Sequence, residues 1–259
     1  MTIGCASNVL GTFYYLVEDA FIGGDLARGL AWEYDVLALA LRELSARGTC
    51  SVIDVGAHIG TQAIPYARQV RGRGCVFAFE PQPVMLDLLR RNIEANGCTE
   101  DIVVHPYAVG HIDGLEVTLA GSILDGPNAG RPYAYRDGQA FNYGGLQLGF
   151  GETKVTMRTL DSFELTEIGL IKVDAEGSEP MVFWGARELI RRCRPLLLFE
   201  RNDKIITESM QAMMPVPEEV RAFRVEEYAS ALGYAAPVAV GVDQFLLRPR
   251  ACSPMAASF

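Results

Sequence analysis

Val52-Ile53-Asp54-Val55-Gly56-Ala57-His58-Ile59-Gly60 is the stretch that decides the fold. Cys50–Val55 is an apolar run of strand length that passes directly into a glycine turn. Thr61–Val70 follows with a helical pattern, and Pro65 is tolerable there because it falls in or near the first turn. Strand, glycine turn and helix in immediate succession open a βαβ unit. Upstream, Tyr34–Arg47 reads as a helix, with Asp35 near its start and Gly48 just past its end. Downstream, Cys75–Phe79 is a second buried strand ending in Glu80-Pro81. Pro83–Asn96 is a helix with Met85, Leu88, Leu89 and Ile93 on one face. Ile102–Val109 is a third strand. The order β-α-β-α-β predicts a parallel sheet covered on both faces.

The rhythm breaks between His111 and Met157, a glycine-rich stretch with Tyr133, Tyr135, Phe141 and Tyr143 and no long helical period. Short strands at Leu115–Leu119 and Lys154–Met157 mark its edges, and a connection this long is expected to be a lid. Regularity returns with a strand at Leu170–Val173, a helix at Ser178–Arg192 and a strand at Leu196–Phe199. A helix at Glu218–Leu232 and strands at Val238–Val240 and Gln244–Leu247 complete the pattern. The expected organisation is an N-terminal helical cap over 1–48, one domain over 49–250 with the lid 111–157 inserted, and a frayed tail over 251–259.

Composition narrows the function. The 259 residues are 49% hydrophobic and 21% charged, ordinary for a globular protein. A net charge of −9 disfavours a partner that tracks phosphate, so no nucleic acid is expected. The first seventeen residues carry no charged side chain, but polar residues interrupt them and no basic segment precedes them. Neither a signal peptide nor a membrane span is expected. Six scattered cysteines form no CxxC, so reduced thiols in a cytoplasmic protein are expected. Nothing in the sequence sets an oligomeric state.

Open parallel sheets bind ligands at the carboxyl ends of their strands. Here those ends carry Asp54, Glu80, Asp174, Glu176, Glu200 and Asp203. Capping of the following helices is the plain alternative for any one of them. The turn itself discriminates between cofactors. A dinucleotide fold uses GxGxxG to cradle a pyrophosphate, whereas this chain has DxGxxxG, with Asp54 where the first glycine would stand. A carboxylate there repels phosphate and suits a nucleoside with a cationic amino group. Glu80 stands where an acidic residue accepts both ribose hydroxyls. Amino-acid cation plus ribose describes S-adenosylmethionine.

These residues carry a resemblance. The Asp54–Gly60 turn, Phe79-Glu80-Pro81, Thr159-Leu160-Asp161, Lys172-Val173-Asp174-Ala175-Glu176-Gly177-Ser178-Glu179 and Pro195–Glu200 resemble the successive motifs of the FkbM family of methyltransferases. His58 stands where that family often has asparagine. The resemblance covers roughly residues 32–200. It implies an α/β class I methyltransferase fold, Rossmann-like, with a mostly parallel seven-stranded sheet and helices on both faces. It also implies O-methylation of a small molecule, a sugar or polyketide-type natural product. The segment with Trp32 and Glu33 would then cap the methionine end of the cofactor.

The expected cofactor contacts are Glu33, Asp54, Gly56, His58, Gly60, Glu80, Pro81 and Asp174. An alcohol needs a base or a metal ion to become a nucleophile. Asp174 and Glu176 are the expected bases, with His111 as a third candidate. Tyr133, Tyr135, Phe141, Tyr143 and Glu200 are expected to contact the acceptor, although the aromatics would serve equally as a small core for the lid. Asp174, Glu200 and Asn202 are candidate magnesium ligands, as in catechol methyltransferases that bind metal at the same two strand ends. The alternative is that Asp174 and Glu200 pair with Lys172 and Arg201. Rival functions are N-methylation or methylation of a macromolecule on the same fold, nicotinamide chemistry, which the missing GxGxxG opposes, and nucleoside binding without catalysis.

Overall fold

The computed structural model describes residues 1–48, 50–120, 140–201 and 208–250. The chain opens with β1 (Ile3–Asn8) and β2 (Gly11–Leu16), an antiparallel hairpin, followed by α1 (Ile22–Ala27) and α2 (Tyr34–Ser45). The expected helical cap over 1–48 is thus a hairpin followed by two helices. Period-two alternation of exposure along β1 is the local reason. The tertiary reason is a pair of asparagines. Asn92 accepts from the Tyr14 N–H at 2.6 Å and donates to the Tyr14 carbonyl at 3.0 Å. One turn further along the same helix, Asn96 does the same for Thr12, at 3.1 and 2.7 Å. Two side-chain amides stand in for the partner strand that β2 lacks on that edge.

Then follow β3 (Ser51–Val55), α3 (Ala63–Val70), β4 (Val76–Phe79), α4 (Pro83–Ala95) and β5 (Ile102–His105). The expected strand 102–109 divides at Pro106, which has no N–H to donate to a ladder. Its second half, β6 (Tyr107–Val109), leaves for a separate sheet with β7 (Leu115–Thr118) and β8 (Lys154–Arg158), in the order β6-β8-β7. β7 and β8 fall where short strands are expected, at the edges of the segment 111–157. Beyond them come β9 (Ile168–Val173), α5 (Glu179–Trp184), α6 (Arg187–Cys193) and β10 (Leu196–Glu200). The expected helix 178–192 breaks at Gly185, where a Cβ would lie 2.1 Å from the Gly110 carbonyl oxygen. The last elements are α7 (Glu208–Met213), α8 (Glu218–Arg221), α9 (Val225–Ala231), β11 (Val238–Ala239) and β12 (Gln244–Leu247). The expected helix 218–232 is the pair α8 and α9.

The main sheet has seven strands in the order β11-β12-β10-β9-β3-β4-β5. β3, β4, β5, β9 and β10 are parallel, and β12 runs antiparallel to β10. The order reverses between β3 and β9. Alternate residues feed two cores. Val52, Leu170, Leu198 and Leu246 pack with α2, α3, α4 and the hairpin, while Ile53, Val173, Leu197 and Phe199 pack with α5, α6 and α9. Both faces are therefore apolar, as a covered parallel sheet requires. Cys5, Cys50, Cys75, Cys98 and Cys193 are free thiols. Among the described residues no helix is long and apolar enough to cross a membrane.

Candidate active site

The site lies at the switch point, where the first face of the sheet turns from apolar to polar at the carboxyl ends of its strands. Gly56 leaves β3 with φ +75°, and a Cβ there would sit 1.9 Å from the Asp174 carbonyl oxygen. Both facts demand glycine. The N–H groups of Gly56 and Ala57 donate to the Phe79 carbonyl at 3.0 Å each, which sews the turn to the end of β4. His58 takes the left-handed conformation at φ 48°, one that asparagine also tolerates.

The backbone N–H of His58 donates to Glu80 Oε2 at 2.8 Å, and that of Gln82 donates to Oε1 at 2.8 Å. Glu80 is thus held at both oxygens while buried at 3% exposure. Burial outweighs these two donors and pushes its pKa up to about 7. Each oxygen keeps a lone pair, the feature a ribose diol would use. His58 is buried too. Burial pushes its imidazole down to about 4, and neither ring nitrogen has a hydrogen-bond partner among the described residues.

Register brings Asp54 beside Lys172, since β3 and β9 pair Asp54 with Lys172 directly. Lys172 Nζ lies 3.3 Å from Asp54 Oδ1 and 3.5 Å from Asp174 Oδ2, and donates to the Gly56 carbonyl at 3.0 Å. Burial opposes its charge, but Asp54, Asp174 and Glu33 outweigh burial and push its pKa upward. The lysine is therefore a fixed cation tying the glycine turn to β9. Glu33 closes this end of the site, accepting from Gln62 Nε2 at 2.7 Å and from the side-chain amide of Gln244. Burial and then Asp174 raise its pKa.

A second group of carboxyls follows β9 and β10. Ligand oxygens of Asp174, Glu176 and Glu200 all lie within 4.8 Å of one another. β9 stops at Val173 and Glu176 is left-handed at φ 51°, so the turn and not the strand aims these side chains. Burial first, then Asp174, Glu179 and Glu33, push Glu200 up to about 8. Glu179 folds back over the turn, its Oε1 accepting from the Ala175 and Gly177 N–H groups at 3.0 and 3.2 Å. Burial, the largest cause, pushes it up to about 7.

These groups surround a cavity of about 280 Å³. Glu33, Asp54, Gly56, His58, Glu80, Pro81, Asp174, Glu176 and Glu200 line it, as does Trp32. Other expectations require correction. Gly60 shapes the turn at φ +90° without lining the cavity. His111 does not line it either, and its Nε2 meets the Pro215 carbonyl at 2.9 Å. Phe141 and Tyr143 are buried core residues with ring centroids 4.8 Å apart, while their neighbours Asn142 and Gly144 face the cavity. Tyr133, Tyr135, Asp203 and Asn202 lie outside the described residues. Of the expected ion pairs, Asp174 with Lys172 forms, whereas Arg201 pairs with Glu226 instead of Glu200.

Sequence reasoning missed Gln62, Gln244 and Ser178, which also line the cavity. Gln244 is opposite Glu200 in the antiparallel pairing of β12 with β10, a relation only register reveals.

A model of the methyltransferase FkbM domain matches residues 54–234. The chain belongs to the FkbM methyltransferase family. Its strand order is that of class I methyltransferases, with the antiparallel β12 inserted next to β10. No curated protein matches this FkbM chain in sequence. Among solved structures, a methyltransferase FkbM from Methylobacillus flagellatus KT is 17% identical with a TM-score of 0.49. The alignment covers 77% of this chain and 43% of that one, so the chain spans less than half of that protein's length. A SAM-dependent methyltransferase from Aquifex aeolicus is 14% identical with a TM-score of 0.42, over 82% of this chain and 87% of that one. An O-methyltransferase from Bacillus cereus in complex with SAH is 13% identical with a TM-score of 0.41, over 82% and 77%.

Proposed function

We propose that this FkbM-family protein uses S-adenosylmethionine to methylate a hydroxyl of a small molecule. The observation that carries the reading is Glu80. It is a buried carboxyl at the end of β4, held at both oxygens by backbone donors, beside a glycine turn that carries Asp54 where a phosphate site would need neutral backbone. Glu80 would hold the ribose hydroxyls, the Gly56–His58 turn would pass alongside, and Glu33 and Asp174 would face the amino group. The bound cofactor supplies an electrophilic methyl on a sulfonium.

The chain supplies position and proton handling. Asp174 and Glu176 stand at the end of β9 as acceptors for the hydroxyl proton. Lys172, fixed 3.5 Å from Asp174 Oδ2, stabilises negative charge there. Glu200 tends to keep its own proton at neutral pH and so offers a hydrogen-bond donor to the acceptor oxygen. The oxygens of Asp174, Glu176 and Glu200 are a donor set of the right chemistry for magnesium, which would lower the hydroxyl's pKa as a Lewis acid. Lys172 already places a cation against one member of that set, and the proposed route needs no second one.

Incubation with methyl-labelled cofactor and a panel of hydroxylated small molecules tests the reading. Label is expected in a methyl ether, with turnover unchanged by exhaustive chelation. Label in an amine or a macromolecule would replace the O-methyl assignment, and rescue by added magnesium after chelation would hand the proton's activation to the ion.

A further inference from the structure

A second cavity, of about 430 Å³, opens between α5, the end of β10 and the start of α9. Its wall is aromatic: Phe183, Phe199 and Phe223, with Pro180 and Val225 beside them. Phe183 meets Phe199 edge-on at 5.5 Å, and Phe223 is braced edge-on by Trp184 at 5.6 Å. Three carboxyl residues, Glu179, Glu200 and Glu226, and two arginines, Arg201 and Arg224, complete the lining. Glu200 borders both cavities, this one and the one at the glycine turn. Glu179 borders this one at 5% exposure. Its Oε1 is taken by backbone N–H groups, and its Oε2 has no hydrogen-bond partner among the described residues. A buried oxygen left without a partner carries a desolvation cost that a ligand donor would relieve.

We propose that this second cavity is the acceptor site and takes a flat apolar ring bearing a hydroxyl, with Glu200 meeting that hydroxyl where the two cavities share a wall. The proposal rests on the methyl-transfer reading and narrows its acceptor. A sugar ring presents several hydroxyls, and each needs a partner once desolvated. Among the described lining residues, Arg201 and Glu226 are paired with each other and Arg224 donates to the Arg221 and Phe223 carbonyls, which leaves Glu179 and Glu200 as polar partners beside Phe183, Phe199, Phe223, Pro180 and Val225. Aromatic faces and edges instead match a flat ring, which would bury its own faces against them.

Calorimetric titration with 2-naphthol as the probe tests this, with methyl glucoside as the polar counterpart and S-adenosylhomocysteine titrated on the same samples. The parent is expected to bind 2-naphthol and not the glucoside. Val225→Trp, which fills the cavity from the first turn of α9, is expected to weaken 2-naphthol at least tenfold while S-adenosylhomocysteine still binds. Should that variant fail to fold, Phe223→Ala on the half-buried wall is expected to weaken the probe several-fold. Probe binding that is absent in the parent, or equal in parent and folded variants, overturns the acceptor site. Preference for the glucoside overturns the ring class. Loss of S-adenosylhomocysteine binding in the parent, with 2-naphthol bound as expected, overturns the methyl-transfer reading while the cavity stands as a ring-binding site.

Discussion

The two halves of the strand-end cavity are built in opposite ways. On the β3–β4 side, every charged group has a backbone partner or an opposite charge. Glu80 takes two N–H donors, Asp54 takes Lys172, and the turn between them is sewn to Phe79. On the β9–β10 side, the oxygens of three carboxyl groups, Asp174, Glu176 and Glu200, converge, and burial with the neighbouring carboxyls pushes Glu200 up to about 8. The first side is preorganised, which fits the proposed cofactor site, and the second is electrostatically tense, which fits the proposed proton exchange with an acceptor. Lys172 is the link between them, since it contacts Asp54 on one side and Asp174 on the other.

Removing that link should break the comparison most severely. Lys172→Met leaves buried Asp54 without its cation, and breaking a buried pair costs about 3–5 kcal/mol. Chemical denaturation should show a loss of that order, with cofactor binding lost as well; a near-parental midpoint would mean that the two halves do not depend on the lysine. Gly56→Ala attacks only the ordered half. Overpacking costs about 1–3 kcal/mol and a side chain at positive φ costs roughly 1–2 kcal/mol more. Thermal melting should fall, and S-adenosylhomocysteine affinity should fall by more than stability alone explains.

Glu80→Gln tests the carboxyl while preserving its shape. Loss of a hydrogen bond to a charged group is worth about 1.5–3 kcal/mol, so calorimetry should show affinity down by roughly tenfold or more. The pH dependence sharpens this. Because its folded pKa is raised from 4.5 to about 7, Glu80 contributes to stability below its unfolded value, and that contribution is lost as pH rises through 7. Cofactor affinity should move the other way, strengthening through pH 7 as the carboxylate becomes able to accept both hydroxyls. In Glu80→Gln the titration should be flat around that value. The smallest effect belongs to His111→Ala, which removes one hydrogen bond to Pro215, about 0.5–1.5 kcal/mol. Its turnover should equal the parent's, and a kcat collapse would restore His111 as a base.

Reading the sequence worked best where a residue's role depends on its near neighbours. Gly56 and Glu80 announce themselves because a strand, a tight turn and an acidic residue at the next strand end are local patterns. Phe141 and Tyr143 stayed ambiguous for the same reason. An aromatic in a lid looks the same in sequence whether it faces a ligand or a core, and here both are buried beneath the hairpin, with the Phe141 N–H and carbonyl bonded to Glu18 and Ala20. His111 misled because its distance from the cavity is set by where β6 goes after Pro106.

From its sequence alone this chain declares a β-α-β series, a break in that rhythm after His111, a glycine turn unsuited to pyrophosphate and carboxyls at the strand ends. All of these follow from hydrophobic period, from glycine's freedom at positive φ and from the charge of a residue beside a turn. Tertiary structure alone decided which charges meet. The pairing of β3 with β9 sets Lys172 against Asp54, and the close approach of Asp174 to Gly56 forbids a Cβ there. The amides of Asn92 and Asn96 turn the N-terminal segment into a strand. Each of these contacts joins residues far apart in the chain through register and helix packing. Side-chain period specifies the face a residue occupies, but not the partner that will occupy the same place.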